Sequence, residues 1–358
     1  MPDTPPLTPH HVAPPPQIIV QQPPTAFGRY GKFLLIALVL AVMALIGMSA
    51  KYQSYFSPPG EPQEKYHSLS KTASEKIAII DISGTIMDTD GFVKKQLDRV
   101  SNDDDVVALV LRIDSPGGTV TASDYLYHHV IELAKERKLP VVVSMGGICA
   151  SGGYYIAMAV GNEEDVIFAE PTTWTGSIGV VIPHYDLSGM LADFHVEDDS
   201  IASAQDKLMG SPTRELSDAE RAKERKLFQD LVESSFARFK EIVLGGRPKF
   251  EQDKDAFKRA TTGQIFTASQ ALELGLVDQI DFVEAAIERA AELAKRKPDD
   301  LRCIKYMQPA SPLDALMSVK ANPPETALGS LRAILDLSVP RAYYLCTWLP
   351  GLLDNAGR

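Results

Sequence analysis

Cysteine is scarce: Cys149, Cys303 and Cys346 are the three thiols in 358 residues. They lie too far apart in sequence to suggest a disulfide framework or a metal site, so an ordinary hydrophobic core must hold the chain. Positive charge is also in deficit. Lysine and arginine number 36 against 47 aspartates and glutamates, a formal charge of −11, which argues against a nucleic-acid partner. No tandem repeat is present, which excludes solenoids and fused duplicate halves. The seven histidines are poorly placed for catalysis: His10 and His11 lie in the N-terminal tail, His67 in a linker, and His128 and His129 in a helical stretch. His184 and His195 occupy no turn of evident catalytic geometry. No motif implies a metal or an organic cofactor.

Long apolar runs are absent with one exception. Residues 1–28 hold nine prolines within Met1 to Pro24 and read as a disordered or polyproline-like tail. Phe33 to Ala50 then carries no charge over 18 residues, about 27 Å as a helix and just enough to cross a bilayer. A cleaved signal peptide is the alternative, but the long polar tail and the lack of a clear cleavage site favour an uncleaved anchor over residues 29–50. Arg29 and Lys32 on its N-terminal side keep that end cytoplasmic, so the remainder is expected outside the cytoplasm. Residues 51–75 read as a polar tether with Pro58, Pro59 and Pro62.

From residue 76 the pattern alternates. Ile77 to Ile82, Val106 to Ile113, Val141 to Ser144, Val166 to Ala169 and Ser177 to Ile182 read as strands, with helices starting near Thr119, Ser151 and Leu187. Such alternation predicts an α/β fold with crossover connections. Ser217-Asp-Ala-Glu220 is a capping box opening a long helix with Leu227, Leu231, Phe239 and Val243 on its apolar side. Thr267-Ala-Ser-Gln270 opens a short one that Gly275 closes. The catalytic part is expected over residues 76–300, with 301–358 as a C-terminal extension used in packing or an interface.

Two glycine-rich junctions carry the chemistry. Ser144-Met-Gly-Gly-Ile-Cys-Ala-Ser-Gly-Gly-Tyr-Tyr155 puts Ser151 among small residues where an apolar strand meets a helix. That junction aims free N–H groups at negative charge and admits a substrate main chain, so Ser151 is the candidate nucleophile. A helix N-cap serine is the plainer reading. Asp114-Ser-Pro-Gly-Gly118, one helix and one strand earlier, tips the balance. Its turn can point an amide outward, and Gly118 and Gly152 would then hold the oxyanion of acyl transfer. Peptide is expected to bind extended along strand edges near Gly117 and Gly176. Cys149 is an alternative nucleophile, but a strand-end core role suits it better. A serine needs a base, and a lysine serves if desolvation lowers its pKa from about 10.4. Lys207, in Ser203-Ala-Gln-Asp-Lys-Leu-Met-Gly-Ser-Pro212, is the best-placed candidate; a solvated surface lysine is the plain alternative.

Together, over roughly Lys76 to Ala294, these motifs resemble the signal peptide peptidase A family of membrane-bound serine proteases, within the Clp protease and crotonase fold superfamily. The resemblance implies a fold of repeated β-β-α units and makes Ser151 of Ala-Ser-Gly-Gly-Tyr-Tyr the nucleophile. Lys207, before Ser211-Pro-Thr-Arg214, becomes the general base. Ser177, in Thr175-Gly-Ser-Ile-Gly179, orients the lysine amine. Gly263 to Asp278 matches a segment of the wider superfamily. Gly161-Asn-Glu-Glu-Asp165 is slightly long for the pattern, which a polar turn absorbs. The Ser-His-Asp triad of the Clp branch fails, because its histidine position falls at Gly176.

The resemblance further implies a short form that builds a ring-like homo-oligomer in the bacterial cytoplasmic membrane. Its substrates would be hydrophobic peptides such as remnant signal peptides. A crotonase-like acyl-CoA enzyme and a catalytically silent membrane scaffold are the rival readings.

Overall fold

The computed structural model describes residues 26–56, 61–308 and 343–345. The chain divides into two compact units, Met1–Pro59 and Gly60–Arg358. In the first, helix α1 (Ala26–Phe56) contains Tyr30–Ser49, a 20-residue stretch long and apolar enough to cross a membrane. None of that stretch is buried, and Phe33 and Leu45 are 72% and 66% exposed. The helix runs past Ala50, where the anchor was expected to stop, through Lys51 to Phe56. The expected proline-rich tail lies outside the described residues up to residue 25.

The second unit is an α/β fold. In chain order it comprises β1 (Gln63–Leu69), β2 (Lys76–Ser83), α2 (Phe92–Ser101), β3 (Val106–Ser115), β4 (Gly117–Thr119), α3 (Val120–Arg137), β5 (Val141–Ala150) and α4 (Gly152–Ala157). There follow β6 (Ile167–Ala169), β7 (Trp174–Gly176), α5 (Ser188–Asp193), α6 (Asp218–Gly246), α7 (Lys254–Ala260), β8 (Ile265–Thr267), α8 (Ala268–Leu274), β9 (Gln279–Ile280), α9 (Val283–Leu293), β10 (Arg302–Met307) and β11 (Tyr343–Leu345). The main sheet runs β1-β10-β2-β3-β5-β6-β9, and its pairs are parallel from β10 to β9.

Strands β2, β3 and the first half of β5 are almost continuous apolar runs because helices cover both faces of a parallel sheet. Ile77, Ile80, Leu109, Leu111, Val142 and Val143 are fully buried there, each side chain contributing about 1.5–3 kcal/mol.

Strand β5 belongs to two partners. Val143 to Met145 pair with β6, whereas Ile148 to Ala150 pair with β7, which continues antiparallel to β8. The change occurs at Gly146-Gly147. A methyl on Gly146 would sit 2.9 Å from Asp114 Cβ, and the Ile148 N–H donates to the Asp114 carboxylate at 3.0 Å. The glycines therefore continue the strand under a close neighbour instead of ending it at Ser144.

Three other expectations change. Ser177 to Ile182 does not form a strand: β7 ends at Gly176, Gly176 (φ 91°) and Ser177 (φ 53°) turn into the left-handed region, and only Val181 makes a single bridge. The stretch read as a tether contains β1, which pairs antiparallel with β10 inside the stretch read as a C-terminal extension, so Gln63–Leu69 and Arg302–Met307 belong to the sheet. Leu231 is 51% exposed, and α6 buries Phe239, Ile242 and Val243 near its C-terminal end. Both capping boxes form, and Gly275 closes α8 in the left-handed conformation.

Candidate active site

Ser151 sits between β5 and α4 with φ 53° and ψ −114°, a conformation few non-glycine residues adopt. Neighbours hold it there. Its N–H donates to the Gly176 carbonyl at 2.8 Å, and its own carbonyl accepts from the Tyr155 N–H at 2.9 Å. The following helix is pinned by two tyrosines: Tyr154 Oη donates to the Leu276 carbonyl at 2.8 Å, and Tyr155 Oη donates to Asp124. Ser151 is 1% exposed, and its Oγ has no hydrogen-bond partner among the described residues. A buried hydroxyl left unpaired is costly unless a ligand or partner completes it.

The second junction meets the first. Gly117 has φ 103°, its N–H donates to Ser115 Oγ at 3.1 Å, and its carbonyl accepts from the Ile86 N–H at 2.8 Å. Thr119 N–H donates to the Ile86 carbonyl at 2.9 Å. The methyl that Gly118 lacks would lie 1.8 Å from that carbonyl oxygen. On Gly152 a methyl would lie 2.3 Å from Ser123 Oγ and 3.1 Å from the Gly118 nitrogen. The two glycines expected to share an oxyanion hole are therefore brought against one another, with Ser151 beside them. Ser123 Oγ, donating to the Thr119 carbonyl at 2.9 Å, braces this contact from α3. Neither Ser123 nor Ile86 stood out in the sequence. Ser123 is one helical turn beyond the N-cap Thr119, a spacing that in retrospect signals a back-bonded hydroxyl; Ile86 carries no signal.

Gly117 and Gly176 both lie beside the Ser151 junction. Both hydrogen-bonding groups of Gly117 are engaged, and β7, which ends at Gly176, is flanked by β5 and β8. The edge of β4 at Gly118 is paired with β11. Cys149 is fully buried, and burial, then the Asp114 charge, pushes its thiol far above the ordinary range, which fits a core residue.

The expected base is not bonded to the serine. Lys207 is exposed in a short 3₁₀ turn (Gln205–Leu208), and its amine makes no hydrogen bond or ion pair with Ser151, Ser177 or any other described residue. Ser177 is buried, its N–H donating to the Gln264 carbonyl at 2.7 Å. The loop beyond Lys207 is tied at two points. Glu224 of α6, 6% exposed, accepts from Arg214 at 2.7 Å and from the Gly210 N–H at 3.2 Å. Asp198 accepts from Ser200, Thr213 and Ser211; the Ser200 and then the Thr213 hydroxyls hold its carboxyl at about 2. His184 lies against Phe228, 5.5 Å between ring centroids. Among the described residues no three His, Cys, Asp or Glu side chains gather as a metal site.

Residues 133–297 match the profile of peptidase family S49. A Synechocystis protein named as a protease is 39% identical over 226 residues, covering 63% of this chain and 76% of its own length. An Enterococcus faecium protein named as a signal peptide peptidase is 34% identical over 248 residues, covering 65% and 67%. "Protease 4" of Haemophilus influenzae is 31% identical over 235 residues, 63% of this chain but 36% of that protein. Among solved structures, a membrane-bound stomatin-specific protease in complex with a substrate peptide is similar at a TM-score of 0.40 and 18% identity, covering 69% of this chain and 97% of that one. With two relatives matched over two thirds or more of their length at 39% and 34% identity, the chain belongs to peptidase family S49.

Proposed function

We propose that this chain is a membrane-anchored serine endopeptidase that cleaves hydrophobic peptides, such as remnant signal peptides, with Ser151 as nucleophile and Lys207 as base. The observation that carries the reading is the meeting of Gly118 and Gly152 beside the unpaired Ser151 Oγ. Backbone amides held in place before substrate arrives stabilise a developing oxyanion without reorganising. In the reaction Ser151 Oγ attacks the scissile carbonyl while its proton passes to a neutral Lys207 Nζ. The amine leaves with that proton, and a water that gives its proton to the same nitrogen then releases the acyl group. Ser177 steadies the amine, and Gly117 and Gly176 border the groove.

Lys207 is exposed whereas a neutral lysine needs a desolvated setting. We therefore assign the base to a neighbouring copy in a homo-oligomer, where assembly would bring Lys207 over the unpaired serine. The apolar run of α1, with Arg29 and Lys32 ahead of it, supports a single-pass anchor with the catalytic unit outside the cytoplasm.

A serine-reactive fluorophosphonate should label the wild type at Ser151 and leave Ser151→Ala unlabelled; equal labelling of both removes the nucleophile. Co-expression of the inactive Ser151→Ala and Lys207→Ala variants should restore part of the peptidase activity, because mixed assemblies then hold some intact pairs. No recovery would place both residues of the pair in one chain.

A further inference from the structure

The two glycine junctions meet because the register between β3 and β5 changes just before them. Leu109 pairs with Val141 and Ile113 with Met145, but Ser115 pairs with Cys149. Asp114 alone therefore faces Gly146, Gly147 and Ile148, a bulge that lengthens β5 by two residues relative to β3. Carried forward, the shifted register sets Gly118 opposite Gly152, and the methyl that Gly152 lacks would lie 3.1 Å from the Gly118 nitrogen. The register that holds before the bulge would set Gly118 opposite Ala150 instead. At about 3.3 Å per residue the oxyanion pair would then be out of step by about 6–7 Å, far more than such a site tolerates.

A bulge interrupts the ladder, so its backbone groups need other partners. Side chains supply them. The Ile148 N–H donates to the Asp114 carboxylate at 3.0 Å, and the Gly146 carbonyl accepts from Thr173 Oγ1 at 2.7 Å. Thr175 Oγ1 donates to the Cys149 carbonyl at 2.6 Å, where pairing with β7 has resumed. Thr173 and Thr175 are fully buried. Asp114 lies on the strand that leads into the Gly117-Gly118 turn, so one residue ties that turn to the strand ending at the nucleophile. We propose that Asp114 and Thr173 are positioning residues of the peptidase reaction: together they hold the two-residue bulge that brings Ser151 and Gly152 level with Gly118. The inference rests on the peptidase reading of the site. Neither side chain bonds to Ser151 Oγ, so both act through the backbone. Ser151 itself keeps a strained φ of 53°, a conformation that lasts only while its surroundings over-determine it.

The test uses the full-length protein in detergent and a quenched-fluorescent, leucine-rich decapeptide as substrate. A serine-reactive fluorophosphonate, taken to completion, counts the competent Ser151. Asp114→Ala and Thr173→Val remove the partners of the bulge, whereas Asp114→Asn and Thr173→Ser keep an acceptor and a hydroxyl in place. Each disruptive variant should lower kcat per labelled serine about tenfold, and the two combined about 10²-fold, with KM within about twofold of the wild type. Each conservative variant should retain most of the rate. A role in stability alone would lower the melting temperature and the number of labelled sites while leaving the turnover of each labelled site unchanged. That result, a loss confined to KM, or conservative variants as impaired as the disruptive ones, overturns the inference and leaves the peptidase reading intact. Asp114 is exposed, so its two variants decide the question alone should the buried Thr173 variants fail to fold. A wild type that is never labelled at Ser151 overturns the peptidase reading, and the inference with it.

Discussion

The two sides of the proposed dyad differ in how they are built. The serine side is enclosed: Ser151 is 1% exposed, Tyr154 and Tyr155 are fully buried, and the meeting of Gly118 with Gly152 leaves no room for a methyl group. The lysine side, residues 177–216 with the first half of α6, is open. Tyr185, Phe194 and Ile201 expose 69%, 73% and 97% of their surface, and α5 buries nothing. The two glycines proposed for the oxyanion hole are therefore held together within one chain, while the proposed base, Lys207, rides on a largely exposed stretch. Exposed apolar residues this concentrated mark a surface built to be covered.

The comparison breaks first at the reacting pair. Ser151→Ala should abolish peptidase activity with an unchanged melting temperature, and Lys207→Arg should be as inactive as Lys207→Ala, both losing about 10³-fold or more in kcat. Arginine keeps the charge but cannot release a proton, so retention of most activity in Lys207→Arg would eliminate the lysine as base. Gly152→Ala probes the enclosed side. Its methyl would stand 2.3 Å from Ser123 Oγ and 3.1 Å from the Gly118 nitrogen, so kcat should fall about 10²-fold with KM little changed. A variant with wild-type kcat would show that the two amides do not act together.

On the open side, Phe194→Asp should leave the melting temperature within about 2 °C, since the residue is 73% exposed, but should dissociate the proposed homo-oligomer, as light scattering would read. Unchanged size would mean that this surface is not an interface. The smallest effect concerns the Asp198 clasp on Ser200, Thr213 and Ser211. Its carboxyl lies at about 2 against an ordinary 3.8. A depressed acid stabilises the fold fully above its unfolded value and loses that contribution as pH falls through about 2. Protease nicking between residues 198 and 214 should thus be flat from pH 7 to about 4 and rise below about 3; Asp198→Asn should show the raised rate at neutral pH.

What could be read from the sequence follows the same division. Ser217 with Glu220, Thr267 with Gln270, and Gly275 were legible because a cap is decided within four residues. Ser151 and the Gly117-Gly118 turn were legible because close backbone approach demands small residues in a run. The strand expected over Ser177 to Ile182 failed where two successive positive φ values, unreadable in a β-rich composition, end the pairing. Strand β1 was missed because its partner β10 lies more than 230 residues away, so its polar, exposed residues carry no local periodicity. The pairing of β11 with β4 was invisible for the same reason. The exposure of Leu231 shows that an apolar stripe predicts a covered face without saying what covers it.

Helix α6 is anchored at Phe239, Ile242 and Val243, yet its Glu224 holds Gly210 and Arg214 of the loop that carries Lys207. Fifteen residues separate Glu224 from Phe239, about 22 Å of helix. The helix is in effect a cantilever with its root in the enclosed side and the loop of Lys207 near its free end. A tilt of about 5° at the root would carry the loop about 2 Å, more than catalytic alignment tolerates. Force or packing applied along its exposed length would therefore have the leverage to move the loop that carries Lys207.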